Sequence, residues 1–349
     1  MSRKKAKKIK FIGFLIILLP IFLFFVLSNR QVEIDSENSQ NSDAQVLNTN
    51  LSPISGLSCQ NYNRRPIAVM IAGDEVARPL SGIQSADMMI EMPVIQNEMT
   101  RLMAIYVCGN SLEIGSIRSA RHDFISLAMG LDAIFVHWGG SYFALDQLKK
   151  DIIDNIDALS YSESAFWRKE KVAAPHNGFT NIEKIIDQAE KLGYRLDNQF
   201  EGYLHCNLTT NNLQPTTKNK ARLTIGYPGL YEVKWEYDFE KNLYLRFRGG
   251  RPEIDYLTNE QVSTKNIVIM RADSRILEDQ YNDVDVEGEG KAVFYLAGEE
   301  IQGKWSKKGS YASTKLYFYD DLGKEIEFEP GKIWVEIIEP NKTVKYTIL

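Results

Sequence analysis

Between residues 115 and 141 the chain reads Gly115-Ser116-Ile117-Arg118-Ser119-Ala120-Arg121 and then Ala133-Ile134-Phe135-Val136-His137-Trp138-Gly139-Gly140-Ser141. In both stretches an apolar run passes through small polar residues into a segment with helical spacing of apolar residues. This pattern is typical of open α/β sheets, in which ligands bind where a strand ends and a helix begins. The first N–H groups of such a helix are unpaired, and its dipole favours an anion. The two stretches therefore predict an α/β fold with a pocket where they meet.

The flanking sequence supports an α/β domain over residues 56–206. Short apolar runs predict buried strands at 67–71, 88–92, 101–107 and 133–136. Helical spacing of apolar residues predicts helices at 124–131, 142–150 and 182–192, the last ending at Gly193. Strands that alternate with helices indicate an α/β layer.

The periodicity changes after a polar stretch at 207–220, which we interpret as a linker. Segments such as 231–237, 244–248 and 333–338 alternate apolar and polar or aromatic residues with period two, and no helical period remains. This pattern predicts a mostly antiparallel, β-rich C-terminal domain over residues 221–349. A boundary at the linker implies that residues 56–206 fold alone.

The N-terminus predicts a membrane anchor. Residues 1–10 are rich in Lys and Arg without an acidic residue, residues 11–28 are almost wholly apolar, and acidic residues follow. The charge asymmetry predicts a single-pass transmembrane helix at 11–28, with a cytoplasmic head and an extracytoplasmic body. Residues 29–55 are rich in Asn, Ser, Gln and Asp and predict a flexible tether. A cleaved signal peptide is the alternative interpretation.

Charge and cysteine content restrict the partners. The formal net charge is −5 although the head is strongly basic, so the body is acidic and we expect no nucleic-acid partner. The partners predicted instead are the membrane, through residues 11–28, and an anionic small molecule, envelope polymer or protein. Cys59, Cys108 and Cys206 match no metal-binding or CxxC spacing. One disulfide with a spare thiol and three unpaired thiols both remain open.

Several short sequence motifs, which occur in a fixed order along the chain, resemble those of a known family. They are Arg65-Pro66-Ile67-Ala68-Val69-Met70-Ile71, Arg78-Pro79-Leu80-Ser81-Gly82, Thr100-Arg101, Arg118-Ser119-Ala120-Arg121, His137-Trp138-Gly139-Gly140-Ser141, Phe166-Trp167-Arg168, Ala174-Pro175-His176-Asn177, Gly303-Lys304-Trp305 and Pro330-Gly331-Lys332-Ile333-Trp334-Val335-Glu336. The chain is similar over about residues 55–340 to the YerB-like family, a two-domain family of predicted bacterial lipoproteins without a known function. The resemblance implies a bacterial cell-envelope protein. It supplies no reaction, and this chain keeps an anchor where family members often carry a lipid-modified cysteine.

The candidate ligand-binding residues follow from these motifs. Arg118 and Arg121 stand three apart at a helix entrance, where Ser119 is placed to cap the helix, and offer bidentate donors to a phosphate, sulfate or carboxylate. The Gly139-Gly140-Ser141 turn permits close approach of a ligand to the backbone. The resemblance adds Arg101, Arg168 and Asn177 to the predicted anion site. The alternative is that one arginine pairs with an interior acid such as Glu91 or Asp87.

Two histidines suggest a second function. His137 ends a predicted strand and His176 follows Pro175, so the two imidazoles would serve as general acid and base if they share the crevice. Neither histidine has a metal-ligand spacing, and the Gly-Gly turn lacks the Lys of a phosphate loop, so we expect no metal and no cofactor. The sequence favours a membrane-anchored binding module for an anionic ligand, glycan or partner protein. An extracytoplasmic hydrolase with an arginine-stabilised oxyanion is the alternative.

Overall fold

The computed structural model describes residues 50–96, 99–206, 220–227, 229–278, 281–309 and 314–349. Within these residues, no helix is long and apolar enough to cross a membrane. The predicted head at 1–10 and anchor at 11–28 lie outside the described residues, as do the tether up to residue 49 and positions 207–219 of the predicted linker. From Asn50 onward the chain forms one compact unit.

The first half has the predicted α/β composition. Its helices are α1 (His122–Met129), α2 (Tyr142–Leu148), α3 (Ala158–Tyr161) and α4 (Ile182–Lys191), with single 3-10 turns at Glu75–Ala77 and Ile83–Ser85. Its strands are β1 (Ile67–Ala72), β2 (Met88–Ile95), β3 (Met99–Tyr106), β4 (Ile114–Gly115), β5 (Ile134–His137), β6 (Asn155–Asp157), β7 (Trp167–Arg168) and β8 (Gly178–Thr180). The strands and helices predicted from periodicity are therefore present.

The second half is built from strands, as its period-two sequence predicts. They are β9 (Ala221–Ile225), β10 (Val233–Asp238), β11 (Leu243–Arg248), β12 (Arg251–Pro252), β13 (Ser263–Thr264), β14 (Asn266–Arg271), β15 (Ser274–Leu277), β16 (Tyr281–Val284), β17 (Gly288–Leu296), β18 (Glu299–Lys307), β19 (Tyr317–Asp320), β20 (Ile333–Ile338) and β21 (Val344–Ile348). A 3-10 turn at Gly229–Tyr231 precedes β10.

The main sheet continues across the predicted boundary. Its ten strands run in the order β19-β18-β17-β14-β20-β2-β3-β1-β5-β6. At the centre, β2 from the first half lies parallel to β20 from the second, with Met88 opposite Ile333 and Glu91 opposite Glu336. A division of the body into two separate sheets at 207–220 is therefore not observed, and we expect that the two halves do not fold independently. Residues 56–206 alone would leave the inner edge of β2 without its hydrogen-bonding partner.

Both faces of the ten-stranded sheet are covered. On one face, Ala68 and Met70 of β1 pack in a core with Phe124 of α1. On the other face, Val69 packs in a second core that includes Ile185 of α4 and a second sheet. This second sheet has the order β12-β11-β10-β9-β21, with β13 paired to β11. The central strands are apolar on both sides because both sides are buried.

A buried ion network joins the two sheets. Glu91 of β2 and Glu336 of β20 are adjacent in register, and both side chains are fully buried. Arg246 of β11 donates Nη2 to Glu91 and Nη1 to Glu336, the latter at 2.5 Å. Its Nε donates to Glu253 at 2.6 Å. One guanidinium of the second sheet therefore contacts three carboxylates.

Aromatic and charged neighbours complete the network around Arg246. The guanidinium lies over the rings of Trp334 and Trp235, at 4.0 and 4.9 Å from their centroids. Burial opposes ionisation of Glu91, but Arg248 and Arg246 together hold the pKa of this carboxyl below its usual value. Burial raises the pKa of Glu336 to about 7 although Arg246 opposes the shift. The two neighbouring carboxyls are therefore shifted in opposite directions, with the charged form favoured at Glu91 and the neutral form at Glu336.

The cysteines resolve into one disulfide and one free thiol. Cys59 and Cys108 are bonded, with their Cα atoms 5.7 Å apart and 49 positions apart in the sequence. Cys206 is free and buried. The disulfide ties the segment before β1 to the chain just after β3.

Replacing Arg246 with Met should lower the free energy of unfolding by roughly 3–5 kcal/mol, because buried carboxylates lose their counter-charge. Urea unfolding followed by circular dichroism measures the loss. Arg222→Met is the matched control, since Arg222 of β9 lies in the same sheet but forms a partly exposed pair with Glu236. That control should cost less than about 1 kcal/mol. Equal losses for the two variants would contradict the role given to Arg246.

Replacing Cys59 and Cys108 together with Ser should lower the free energy of unfolding by about 4 kcal/mol, because the closed loop limits the unfolded chain. The same unfolding experiment measures the effect. A reducing agent should lower the stability of the wild-type protein and leave that of the double variant unchanged. An unchanged wild-type transition under reducing conditions would show that the bond contributes no stability.

Candidate functional site

The two stretches quoted first lie side by side in the structure. The backbone N–H of Arg118 donates to Met70 of β1, and the N–H of Trp138 donates to the carbonyl of Arg118. Further along, the N–H of Ala120 donates to Gly139, and the N–H of Ser141 donates to Ala120. The predicted contact between the two stretches is therefore observed. The segment before Arg118, however, pairs in a small three-stranded sheet rather than in the main sheet.

In the second stretch, hydrogen bonds to other groups of the protein already engage the Gly139-Gly140-Ser141 turn. The N–H of Gly139 donates to Asp157 Oδ1 at 2.7 Å. Ser141 caps α2 as predicted, with Oγ accepting from the N–H of Ala144. The cap predicted for Ser119 is wrong, because Arg121 occupies the N-cap of α1 and its side chain makes no capping bond. The Gly139-Gly140-Ser141 turn thus serves the fold, and the site is formed by side chains.

Side chains from three other segments lie near Asp74, which follows β1. Arg118 Nε lies 4.0 Å and His176 Nδ1 3.9 Å from Asp74 Oδ2. Arg118 also donates Nη1 to the carbonyl of Pro175 at 3.3 Å. This bond connects the first stretch to the loop that carries His176. Arg101 and Arg121 are within electrostatic reach of the Asp74 carboxylate. We call Asp74, Arg101, Arg118, Arg121 and His176 the Asp74 cluster.

The two further arginines are held by separate contacts. Arg101 is 1% exposed and donates Nη1 to the carbonyl of Ser119 at 3.0 Å. Burial lowers the pKa of Arg101 to about 9, and the charges of Arg121 and Arg118 act in the same direction. Arg121 lies over the ring of Tyr281, 5.8 Å from its centroid. The positive charges of the arginines repel one another and raise the free energy of the cluster unless an anion balances them.

The Asp74 cluster has an excess of positive charge and unused donors. Within the cluster there are three guanidinium groups and one carboxylate, and Arg121 is also within electrostatic reach of Asp123. Among the described residues, the Nε atoms of Arg101, Arg118 and Arg121 are buried without a hydrogen-bond partner, as are Asp74 Oδ2 and His176 Nδ1. Burial and then the charge of Arg118 lower the pKa of His176, so this imidazole is neutral near pH 7. Buried donors without partners are costly, and an oxyanion would satisfy them.

His137 does not join this cluster. Its side chain is 1% exposed. Nδ1 lies 2.8 Å from the carbonyl oxygen of Gly139, and Nε2 lies 3.2 Å from Asn155 Oδ1. Both ring nitrogens are therefore engaged in holding the Gly-Gly turn to β6. The structure does not present His137 and His176 as an acid–base pair, because the first is buried with its own partners.

Arg168 and Asn177 pair with each other rather than with Asp74. Arg168 donates Nη1 to Asn177 Oδ1 at 2.7 Å, and its guanidinium lies 4.2 Å from the centroid of the Trp138 ring. The N–H of Lys169 donates to the carbonyl of Asn177. The backbone contacts hold the two ends of the loop between β7 and β8 together and do not depend on the Arg168 side chain.

The sequence did not indicate Asp74 as a site residue. Gly73-Asp74 reads as a turn after an apolar strand, and only the fold shows that several cations converge on it. One site arginine does pair with an interior acid, as the alternative holds, because Arg118 lies 4.0 Å from the buried Asp74. The acids named as examples, Glu91 and Asp87, have other partners. Glu91 pairs with Arg246 and Arg248, and Asp87 accepts from Ser55 and from the N–H of Val107.

A cavity of about 600 Å³ lies along the same loop. Its lining includes Arg78, Lys169, Lys171, Phe179 and Tyr256. Lys169 pairs with Glu113 and also lies 4.4 Å from the centroids of the Phe179 and Tyr256 rings. The surface beside His176 thus combines cationic and aromatic side chains.

Comparisons with known proteins agree on the family of this chain and do not give an activity. Residues 54–195 match the family model described as "Protein of unknown function (DUF3048) N-terminal domain", and residues 223–335 match the corresponding C-terminal domain. The chain is 32% identical over 292 residues to "Putative lipoprotein YerB" of Bacillus subtilis (strain 168), covering 82% of this chain and 86% of that protein.

A solved structure shares the fold. The crystal structure of YerB protein from Bacillus subtilis superposes with a TM-score of 0.75 and 30% sequence identity, covering 84% of this chain and 99% of that one. The predicted resemblance is confirmed over both halves of the body. The chain belongs to the DUF3048 family.

Proposed function

We propose that the protein is an extracytoplasmic, membrane-associated binding module whose Asp74 cluster binds an oxyanion. The observation that carries the proposal is that the Nε atoms of Arg101, Arg118 and Arg121 are buried without a partner. Arg118 Nε lies 4.0 Å from Asp74 Oδ2, and the other two arginines are within electrostatic reach of this carboxylate. A phosphate, sulfate or carboxylate would accept hydrogen bonds from these nitrogens and reduce the repulsion between the guanidinium groups.

The geometry favours binding over hydrolysis. A hydrolase of the kind considered from the sequence needs a proton acceptor held by a partner close to the bound substrate. His137 is buried and bonded to Gly139 and Asn155, so it is not placed for that role. His176 remains as a neutral imidazole beside Arg118, where its ring N–H can donate one hydrogen bond to a bound anion.

Three observations support the proposed location. The Cys59–Cys108 disulfide is typical of proteins that fold outside the reducing cytoplasm. The relative from Bacillus subtilis carries the name of a lipoprotein. In this chain the apolar segment at 11–28, flanked by basic and then acidic residues, is the proposed anchor. A phosphate-bearing or carboxylate-bearing envelope polymer would meet the body in that compartment.

Arg118→Ala should weaken binding of inorganic phosphate by roughly 1.5–3 kcal/mol, because a charge-assisted hydrogen bond to the anion is lost. Isothermal titration calorimetry on the purified full-length protein in detergent measures the change, with sulfate as a second probe.

Arg168→Ala is the matched control for the phosphate titration. This arginine lies on the same loop system but contacts Asn177 and Trp138 instead of Asp74. Its replacement should leave the phosphate affinity within about twofold of wild type. The proposal fails if wild-type protein binds neither anion, or if the Arg118 and Arg168 variants lose the same affinity while both remain folded.

A further inference from the structure

A second cluster of polar side chains lies at the start of α1, one residue beyond Arg121. His122 Nε2 lies 3.0 Å from Asp123 Oδ1 and 3.0 Å from Asp283 Oδ1. The three ligand-type atoms lie within 4.8 Å of one another. All three side chains are largely buried, with exposures of 11% for His122, 5% for Asp123 and 16% for Asp283.

The spacing is that of atoms around a small cation. Metal–nitrogen and metal–oxygen bonds of 2.0–2.2 Å at angles between 90° and 110° place neighbouring ligand atoms about 2.9–3.5 Å apart. Both imidazole–carboxylate separations fall in this range. One imidazole and two carboxylates leave further coordination positions for water or a ligand.

Outer contacts orient both carboxylates. Arg275 pairs with Asp283 Oδ2, so that Oδ1 is the oxygen directed toward His122. The backbone of Val284 bonds to the carboxylate of Asp123. Partners of this kind commonly fix the ligands of metal sites.

The surrounding cavity carries an excess of negative charge. It measures about 380 Å³ and is lined by the three cluster residues together with Asp285, Glu287 and Arg275, among others. Four carboxylates therefore face one lining cation, and Glu287 is also within electrostatic reach of Lys307. Glu287 accepts a hydrogen bond from Ser126 at 2.7 Å, so it stands apart from the His122 triad.

We propose that His122, Asp123 and Asp283 form a binding site for a divalent first-row transition metal ion such as Zn²⁺ or Mn²⁺. An imidazole with two carboxylates suits these ions better than Ca²⁺ or Mg²⁺, which prefer oxygen ligands alone. The site shares no residue with the Asp74 cluster, although Asp123 acts electrostatically on Arg121 of that cluster. Sequence spacing cannot reveal it, because Asp283 lies 161 positions from His122.

The test is a metal titration of the full-length, untagged protein in detergent after removal of bound metal with EDTA. Calorimetric titration with ZnCl₂ and with MnCl₂ should show one site per chain, and MgCl₂ and CaCl₂ should bind more weakly. Asp283→Asn preserves shape but removes a charged ligand, and should weaken binding at least roughly tenfold. Glu287→Gln, in the same cavity but outside the triad, should stay within about threefold of wild type.

Two results would overturn the metal site. The first is that stripped wild-type protein binds neither Zn²⁺ nor Mn²⁺ with one-to-one stoichiometry. A hydrogen-bonded His122 bridging the two aspartates would then account for the contacts. The second is wild-type affinity in Asp283→Asn. If that variant does not fold, as judged by circular dichroism, His122→Asn takes its place with the same expected loss.

Discussion

The structure depends on two carboxylates that lie side by side in the interior. Glu91 and Glu336 face each other on neighbouring parallel strands at the centre of the main sheet, and neither is exposed. Like charges at adjacent positions in a sheet repel, and burial increases the cost of each charge. Arg246 supplies the counter-charge from the second sheet. The counter-charge for the central strands of the main sheet therefore comes from the second sheet.

The buried network around Arg246 lies next to the Asp74 cluster, because its neighbours contact residues that directly precede cluster members in the sequence. Arg248 contacts Glu91 and donates Nη2 to Thr100 Oγ1 at 2.6 Å, next to Arg101. Arg78 donates Nη2 to the carbonyl of Gly73 at 3.2 Å, next to Asp74. Buried contacts therefore fix the residues that precede two members of the cluster. A binding site with several like charges needs such support, because the guanidinium groups would otherwise separate.

Local features of the site could be predicted from the sequence, whereas its long-range pairings could not. Arg118, Arg121 and the cap at Ser141 follow from the change between strand and helix periodicity, which depends on neighbouring residues. Arg246 and Glu91 are 155 positions apart, and periodicity carries no information about such a pair. The period-two pattern likewise identified β20 as a strand but could not place it beside β2. His137 was misjudged because a strand end can direct a side chain inward as well as toward a crevice.

We expect the body to unfold as one cooperative unit, because its two halves share the main sheet and the Arg246 network. Differential scanning calorimetry of the full-length protein tests it most directly. We predict a single transition for the body whose calorimetric and van't Hoff enthalpies agree. Two separate transitions, one for each family domain, would contradict the account.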